Sequence, residues 1–230
     1  MKVLAIDTSN FTLGVALING TQVIGEYTTN LKKNHSVRVM PAIESLLKDC
    51  DTSPKELTKI VVAKGPGSYT GVRIGVTIAK TLAWTLNVPL SAVSSLEVLA
   101  ANGRYFDGLV SPLFDARRGQ VYTGLYEFDH GTLKTVTEDC NILSSEWAMK
   151  VKEYNRPVLF VGQDVEIHRE AITEVLGDLA VFAPVQLYNA RPSELAFIGL
   201  NKDEVDIHHF VPNYIRMAEA EAKWLEQQGK

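Results

Sequence analysis

The segment with the clearest structural pattern is Ile60-Val61-Val62-Ala63-Lys64-Gly65-Pro66-Gly67-Ser68-Tyr69-Thr70-Gly71. Its four leading apolar residues predict a short buried strand, and the glycines and proline after them predict a turn. Apolar residues at helical spacing continue over 70–86, and another apolar run at 90–93 predicts a second strand. A strand, a glycine-rich turn, a helix and a strand form a βαβ unit, so the sequence predicts an α/β protein.

Upstream of this unit, the chain opens with a predicted three-stranded meander. Its strands are predicted at 3–6, 13–18 and 21–28. A polar turn, Asp7-Thr8-Ser9-Asn10, separates the first two strands, and Asn19-Gly20 is a hairpin signal before the third. A helix is predicted over 35–48, with Ser36 as its N-cap and Pro41 in its first turns.

The opening pattern recurs in the second half of the chain. The apolar run at 110–114 ends in Asp115, as the first strand ends in Asp7, and a returning strand is predicted at 120–128. The offset of 115 − 7 = 108 residues is close to half the chain and indicates a duplication, with one lobe over 1–106 and a second over 107–230. The remaining predicted elements are strands at 158–161 and 180–182 and helices at 167–176, 193–200 and 217–227.

Composition restricts the class of protein. The 230 residues are 46% hydrophobic and 22% charged, as in ordinary globular proteins, and the net charge of −4 excludes nucleic-acid binding driven by excess positive charge. The two cysteines form no CxxC motif, and no apolar run approaches the roughly 20 residues of a membrane span. We therefore expect a cytoplasmic protein without a membrane segment.

Two kinds of candidate site remain open on the residues alone. The glycines at 65–71 precede a helix, so their N–H groups could face an anion, or they could only allow close packing. Asp7 and Asp115 could hold a metal ion bound to phosphate, or they could cap turns. The five histidines form no metal motif, and no nucleophile has a visible base, so no catalytic residue is predicted.

The predicted helix over 70–86 carries apolar residues on more than one face. Such a helix lies in the centre of a core or is buried partly by a partner. With the helix at 35–48, it could form a docking surface.

Several motifs, in order along almost the whole chain, resemble the TsaB proteins, also called YeaZ. They are Asp7-Thr8-Ser9, His35-Ser36, Met40-Pro41, the block from Gly65 to Gly75, Ala79-Lys80, Leu82-Ala83, Val93-Ser94-Ser95-Leu96-Glu97, Asp115-Ala116-Arg117 and Pro212-Asn213-Tyr214-Ile215-Arg216. The resemblance implies a two-lobed actin-like ATPase (ribonuclease-H-like) fold, in reduced form, with duplicated βββαβα lobes.

The resemblance also implies a task. TsaB-like proteins form a heterodimer with TsaD, which transfers threonylcarbamoyl to adenosine 37 of tRNA, and TsaE is the ATPase partner in a ternary complex. They form a homodimer when TsaD is absent, and they meet tRNA only through the complex. The two helices of the first lobe are the implied docking elements. Our predicted interface is Val37, Met40, Ile43, Leu47, Val72, Val76, Ala79 and Ala83.

The same resemblance implies that catalysis is lost. TsaD-like proteins carry a His-x-x-x-His metal motif where this chain has Ser95 and Leu99, and neither leucine nor a lone serine holds a transition metal. We expect no metal, no cofactor and a vestigial phosphate loop formed by Asp7, Thr8, Ser9, Gly65, Gly67, Ser68 and Asp115. The alternative is an active metallopeptidase or a nucleotide-dependent enzyme of the same superfold.

Overall fold

The computed structural model of this protein describes residues 1–31 and 33–216. The strands are β1 (Lys2–Asp7), β2 (Thr12–Asn19), β3 (Gln22–Asn30), β4 (Leu57–Ala63), β5 (Leu90–Val93), β6 (Leu109–Asp115), β7 (Gln120–Asp129), β8 (Thr132–Leu143), β9 (Val158–Val161) and β10 (Ala180–Phe182). The α-helices are α1 (Val39–Asp49), α2 (Tyr69–Leu86), α3 (Ser95–Ala100), α4 (Ser144–Lys152), α5 (Val165–Leu176) and α6 (Pro192–Leu200).

The ten strands form two sheets of identical topology. The first has the order β3-β2-β1-β4-β5 and the second has the order β8-β7-β6-β9-β10. In each, the first three strands are antiparallel and the last two run parallel to the central strand. The predicted two-lobed actin-like fold is confirmed, and each repeat is βββαβαβα, one strand and one helix longer than predicted.

The central strands of each sheet are buried on both faces, which explains the continuous apolar runs in the sequence, whereas the edge strands β3 and β8 are largely exposed or half-buried. On β1, Leu4 and Ile6 pack under α1 and α2, whereas Val3 and Ala5 pack under α6 on the opposite face. In the second lobe, α4 and α5 cover one face of the sheet and α3 covers the other. Each sheet is therefore the middle layer of three.

The third helix of each repeat packs on the sheet of the other repeat. Leu96 and Leu99 of α3 pack with residues of β6 and β9, and Leu195 and Ala196 of α6 pack with residues of β1 and β4. The two sheets fall on either side of the predicted 106/107 boundary, but the helices exchanged across it join the two halves of the chain. The division into separate folding units at that position stays a prediction.

A buried polar cluster fixes α3 in the second lobe. Ser94 caps α3 by accepting the N–H groups of Leu96 and Glu97. The hydroxyls of Ser94 and Tyr126 both donate to the carboxylate of Asp139. Burial raises the pKa of Asp139 and outweighs these two hydrogen bonds, which lower it. The ionised carboxylate is therefore held at a cost in stability.

The Asp139→Asn variant tests this cost through pH. The carboxyl is protonated in both states below its ordinary pKa of 3.8, and the folded state alone retains the proton as pH rises above that value. The wild type therefore loses stability relative to Asp139→Asn as pH rises from 3.8 through the raised folded pKa. Urea midpoints measured for both proteins across this window check the sign. Parallel pH curves would show that the carboxyl titrates normally.

Local signals placed most elements within a few residues, but they gave no position for β8, α3 or α4. One assignment was wrong: Ser36 is not the N-cap of α1, because Asn34 accepts its N–H and starts a separate 3-10 turn at His35–Val37. Arg38 is the N-cap of α1, and Pro41 lies in the first turn. The helix predicted at 217–227 lies outside the described residues. No helix in the described part of the chain is long and apolar enough to cross a membrane.

Candidate functional site

A cleft of about 820 Å³ opens between the lobes and brings together motifs that are far apart in the sequence. Its first-lobe wall is the β1–β2 turn and the glycine block at 65–71. Its second-lobe wall is the β6–β7 turn at 115–118, together with Asp164 before α5. Residues 213–216 complete the rim.

The glycine block packs directly against the β1–β2 turn. A Cβ at Gly71 would lie 2.2 Å from the carbonyl oxygen of Thr8, and a Cβ at Gly67 would lie 2.1 Å from that of Ser9. The Thr8 hydroxyl in turn donates to the carbonyl of Gly71 over 2.7 Å. These positions therefore require glycine for close packing of backbone against backbone.

Several N–H groups of the block are used inside the protein. The Gly65 amide donates to Ser95 Oγ at 3.1 Å, and Ser68 N donates to the Ser9 carbonyl at 2.7 Å. Gly71 N donates to the hydroxyl of Ser68, the N-cap of α2, at 3.3 Å. Of the two interpretations left open by the sequence, this geometry favours close packing over an anion cradle.

Asp7 organises the turn that the block packs against. Its Oδ1 accepts both the N–H of Ser9 at 2.8 Å and the Ser9 hydroxyl at 2.7 Å. Burial raises the pKa of Asp7, and the two bonds from Ser9 partly oppose the rise. The side chain is 8% exposed, so its carboxylate serves the turn.

Asp115 occupies the matching position in the second lobe, but its partners differ. Its Oδ1 lies 3.1 Å from Nε2 of the buried His168 on α5 and accepts the Arg117 N–H at 3.2 Å. Its own N–H donates to Asp164 Oδ2 at 2.9 Å. Burial raises the pKa of Asp164, and the hydrogen bond from the Asp115 N–H partly opposes this rise. The sequence did not predict the Asp115–His168 pair, because its members lie 53 residues apart.

The positions of the His-x-x-x-His motif are used for packing. Ser95 is fully buried and joins α3 to the glycine block: its N–H donates to the Gly65 carbonyl, and its hydroxyl accepts the Gly65 N–H. Leu99 is fully buried in the core under the second sheet. Among the described residues, no group of three or more His, Cys, Asp or Glu side chains could hold a metal ion.

Most residues of the predicted interface point into the protein. Six of the eight are at most 7% exposed and pack in the first-lobe core: Ile43, Leu47, Val72, Val76, Ala79 and Ala83. Val37 and Met40 are 69% and 44% exposed. The predicted face of α2 is wrong, because its stripe of small residues lies on the sheet.

A different surface, formed by the 3-10 turn, the start of α1 and one side of α2, is exposed. It comprises Val37, Met40, Tyr69, Arg73, Thr77, Thr81 and Trp84, and we call it the partner face. Its largest side chain, Trp84, is 68% exposed. Between the 3-10 turn and α2 runs a groove of about 480 Å³ floored by Ile74 and Ile78.

The two duplicated sheets and the cleft between them define the class of two-lobed actin-like proteins. A family model described as "TsaD: tRNA N6-adenosine threonylcarbamoyltransferase" matches residues 22–224. Within that class, the chain belongs to the TsaB family. It is 62% identical to "tRNA threonylcarbamoyladenosine biosynthesis protein TsaB" of Bacillus subtilis (strain 168), over 99% of this chain and 100% of the relative.

Other relatives agree with this assignment. The protein of the same name from Escherichia coli (strain K12) is 35% identical over 64% of this chain and 69% of the relative. A crystal structure from Pseudomonas aeruginosa, titled as an uncharacterized protein with similarity to peptidase YEAZ, superposes with a TM-score of 0.80 at 25% identity. It covers 94% of this chain and 99% of that one.

Proposed function

We propose that this chain is the non-catalytic subunit of the complex that makes N6-threonylcarbamoyladenosine at position 37 of tRNA. It binds TsaD as a heterodimer, joins the ATPase TsaE in a ternary complex, pairs with itself when TsaD is absent, and meets tRNA only through the complex. The work takes place in the cytoplasm. Its family membership supports the pathway, since the relatives are named for threonylcarbamoyladenosine biosynthesis.

The observation that carries the docking role is the uncovered partner face. Val37 and Trp84 are each more than two-thirds exposed; Val37 follows Ser36, which lines the groove, and Trp84 lies further along α2. Large exposed apolar side chains on one side of a protein are typical of interaction surfaces, and tryptophan is among the residues most enriched in binding hot spots. A face of this kind is more stable when a partner covers it.

Two observations support the absence of catalysis. Ser95 and Leu99 replace the pair of imidazoles that a metal would need, and both are engaged in packing. Several N–H groups of the glycine block donate to acceptors within the protein, so they do not surround a phosphate. Calorimetric titration with magnesium-ATP is expected to show no tight one-to-one binding, whereas such binding would support the nucleotide-dependent alternative.

The Trp84→Glu variant tests docking. It removes an aromatic anchor and places a charge on the partner face, so we expect its affinity for TsaD to fall at least about 30-fold, the effect of losing a hot spot worth about 2 kcal/mol. Co-purification with untagged TsaD and titration by calorimetry measure the loss. Thermal unfolding should match the wild type, because the side chain is 68% exposed.

Ile167→Glu is the matched control. Ile167 is 66% exposed on α5, in the other lobe, so this variant carries the same new charge at an equally exposed apolar position. We expect it to retain TsaD binding. Equal loss in both variants, or normal binding by Trp84→Glu, would place the interface elsewhere.

A further inference from the structure

The last described segment of the chain, residues 203–216, forms a strap over the first lobe. It leaves α6 and adds to the edge of the first sheet, where Val205 N donates to the Leu90 carbonyl at 2.8 Å. It then crosses α2, where Lys80 Nζ donates to the Phe210 carbonyl at 2.7 Å. Val205, Ile207 and Phe210 pack against the first-lobe core. The strap is thus fixed along its length to one lobe.

The strap next reaches the glycine block. Asn213 N donates to the carbonyl of Lys64 at 2.8 Å, and the Asn213 carbonyl lies against Gly65, 3.0 Å from where a Cβ would be. The ring of Tyr214 packs on that of Tyr69 at the start of α2, with centroids 5.2 Å apart. This contact brings the end of the strap to the mouth of the cleft.

Beyond Tyr214, the strap crosses into the second lobe. Arg216 Nη1 donates to the carbonyl of Ala116, in the β6–β7 turn, at 2.9 Å. Burial raises the pKa of the Tyr122 hydroxyl on β7, and the positive charge of Arg216 opposes that rise, so the guanidinium also lies near this side chain. One arginine therefore connects a first-lobe segment to the β6–β7 turn of the second lobe.

Away from the residues that line the cleft, the lobes are joined by different contacts, which we call the base. The exchanged helices α3 and α6 pack there, and Gln163 Nε2 of the second lobe donates to Thr12 Oγ1 of the first at 3.0 Å. A base held in this way permits the lobes to rotate about it, as in hinge motions between domains. A contact across the mouth is where such a rotation is most effectively stopped.

We propose that the strap is a clamp that sets the opening of the cleft, with Tyr214 holding it to the glycine block and Arg216 holding the opposite lobe. The clamp does not depend on the identity of any partner. It also links the cleft to the partner face, because Tyr69 belongs to both. In this way the three family motifs around 65–71, 115–117 and 212–216 have a shared role: they bind one another across the cleft.

Spin labels in the two lobes measure the opening. They are attached at Lys55→Cys and Glu170→Cys, both at exposed positions, in full-length protein with Cys50 and Cys140 replaced by serine and diluted with unlabelled chain. The clamped protein is expected to give one narrow distance distribution by pulsed electron paramagnetic resonance. Arg216→Ala and Tyr214→Ala should each broaden it and shift its mean to longer distances.

Arg156→Ala is the matched control. The Arg156 Nη1 atom also makes one 2.9 Å bond, to Glu127 Oε2, but both residues lie in the second lobe. Its distribution should equal that of the labelled parent. A narrow, unshifted distribution in folded Arg216→Ala would overturn the proposal, whatever Tyr214→Ala shows. Equal broadening in Arg156→Ala would overturn it too, because loss of any arginine would then have the same effect.

Discussion

Replacing Gly71 with alanine is expected to destabilise the folded protein by roughly 3 kcal/mol, at the upper end for an overpacked core site. Gly71 lies in the first turn of α2, where alanine would otherwise gain about 1 kcal/mol from helix propensity. The added Cβ, however, would lie 2.2 Å from the Thr8 carbonyl, and backbone atoms on both sides leave it little room. Urea unfolding followed by circular dichroism measures the change.

Gly20→Ala is the control for this substitution. Gly20 has a φ of +58° in the β2–β3 turn, and a Cβ there would have no neighbour within 4 Å. We expect a loss of only about 1–2 kcal/mol, from the left-handed backbone alone. If Gly71→Ala instead stabilises the protein, as propensity alone would require, the block is not packed on the β1–β2 turn and the anion-cradle interpretation regains its support.

Val76→Glu is expected to prevent folding, or to cost more than about 4 kcal/mol, because it places an unpaired charge in the core. Val76 is 3% exposed, among apolar residues of the first lobe. The sequence alone would have assigned this substitution a specific effect on partner binding, since Val76 was part of the predicted interface. Soluble yield and circular dichroism of the purified variant give the answer.

The adjacent residue provides a sharp comparison. Thr77 is exposed on the same helix turn, so Thr77→Glu should change the free energy of unfolding by no more than about 0.5 kcal/mol. Because Thr77 lies on the partner face, this variant also tests the proposed binding of TsaD without loss of fold. A Val76→Glu protein as stable as Thr77→Glu would mean that α2 is rotated from the orientation described.

The central strands were predictable because both of their faces are covered, whereas the 12-residue edge strand β8, which is exposed or half-buried, was not predicted. Burial on two sides produces continuous apolar runs such as 3–6 and 60–63, which leave no ambiguity of period. The duplication was visible because two such apolar runs each end in an aspartate, Asp7 and Asp115. Helix α3 was missed as a separate element, although Ser94 and Glu97 have the spacing of a helix start.

The orientation of α2 was not predictable from apolar spacing, because two stripes compete. Ile74, Ile78 and Leu82 form one, and the buried residues form the other. Side-chain size separates them in the structure: Gly71, Gly75, Ala79 and Ala83 recur every four residues on the face that approaches the sheet and the β1–β2 turn. That stripe of small residues was in the sequence, and it indicates close approach more reliably than total hydrophobicity.

The contents of the cleft depend on contacts between distant segments. The Asp115–His168 pair and the bond from Arg216 to Ala116 join residues 53 and 100 positions apart. No local pattern specifies such pairs, since each residue alone has the appearance of an ordinary turn or surface residue. By contrast, the sequence alone shows that positions 95 and 99 carry no metal ligands, because this depends only on the identity of the side chains, Ser95 and Leu99.

The exchanged helices also bear on synthesis. As the ribosome releases the chain from its amino end, strands β1 to β5 emerge long before α6, at Pro192–Leu200, which covers one of their faces. Val3, Ala5 and Val61 thus stay unprotected in the nascent polypeptide until nearly all of it has been translated. The amino-terminal half therefore cannot bury this second face before α6 has been synthesised, and chaperones that shield apolar strands can act until then.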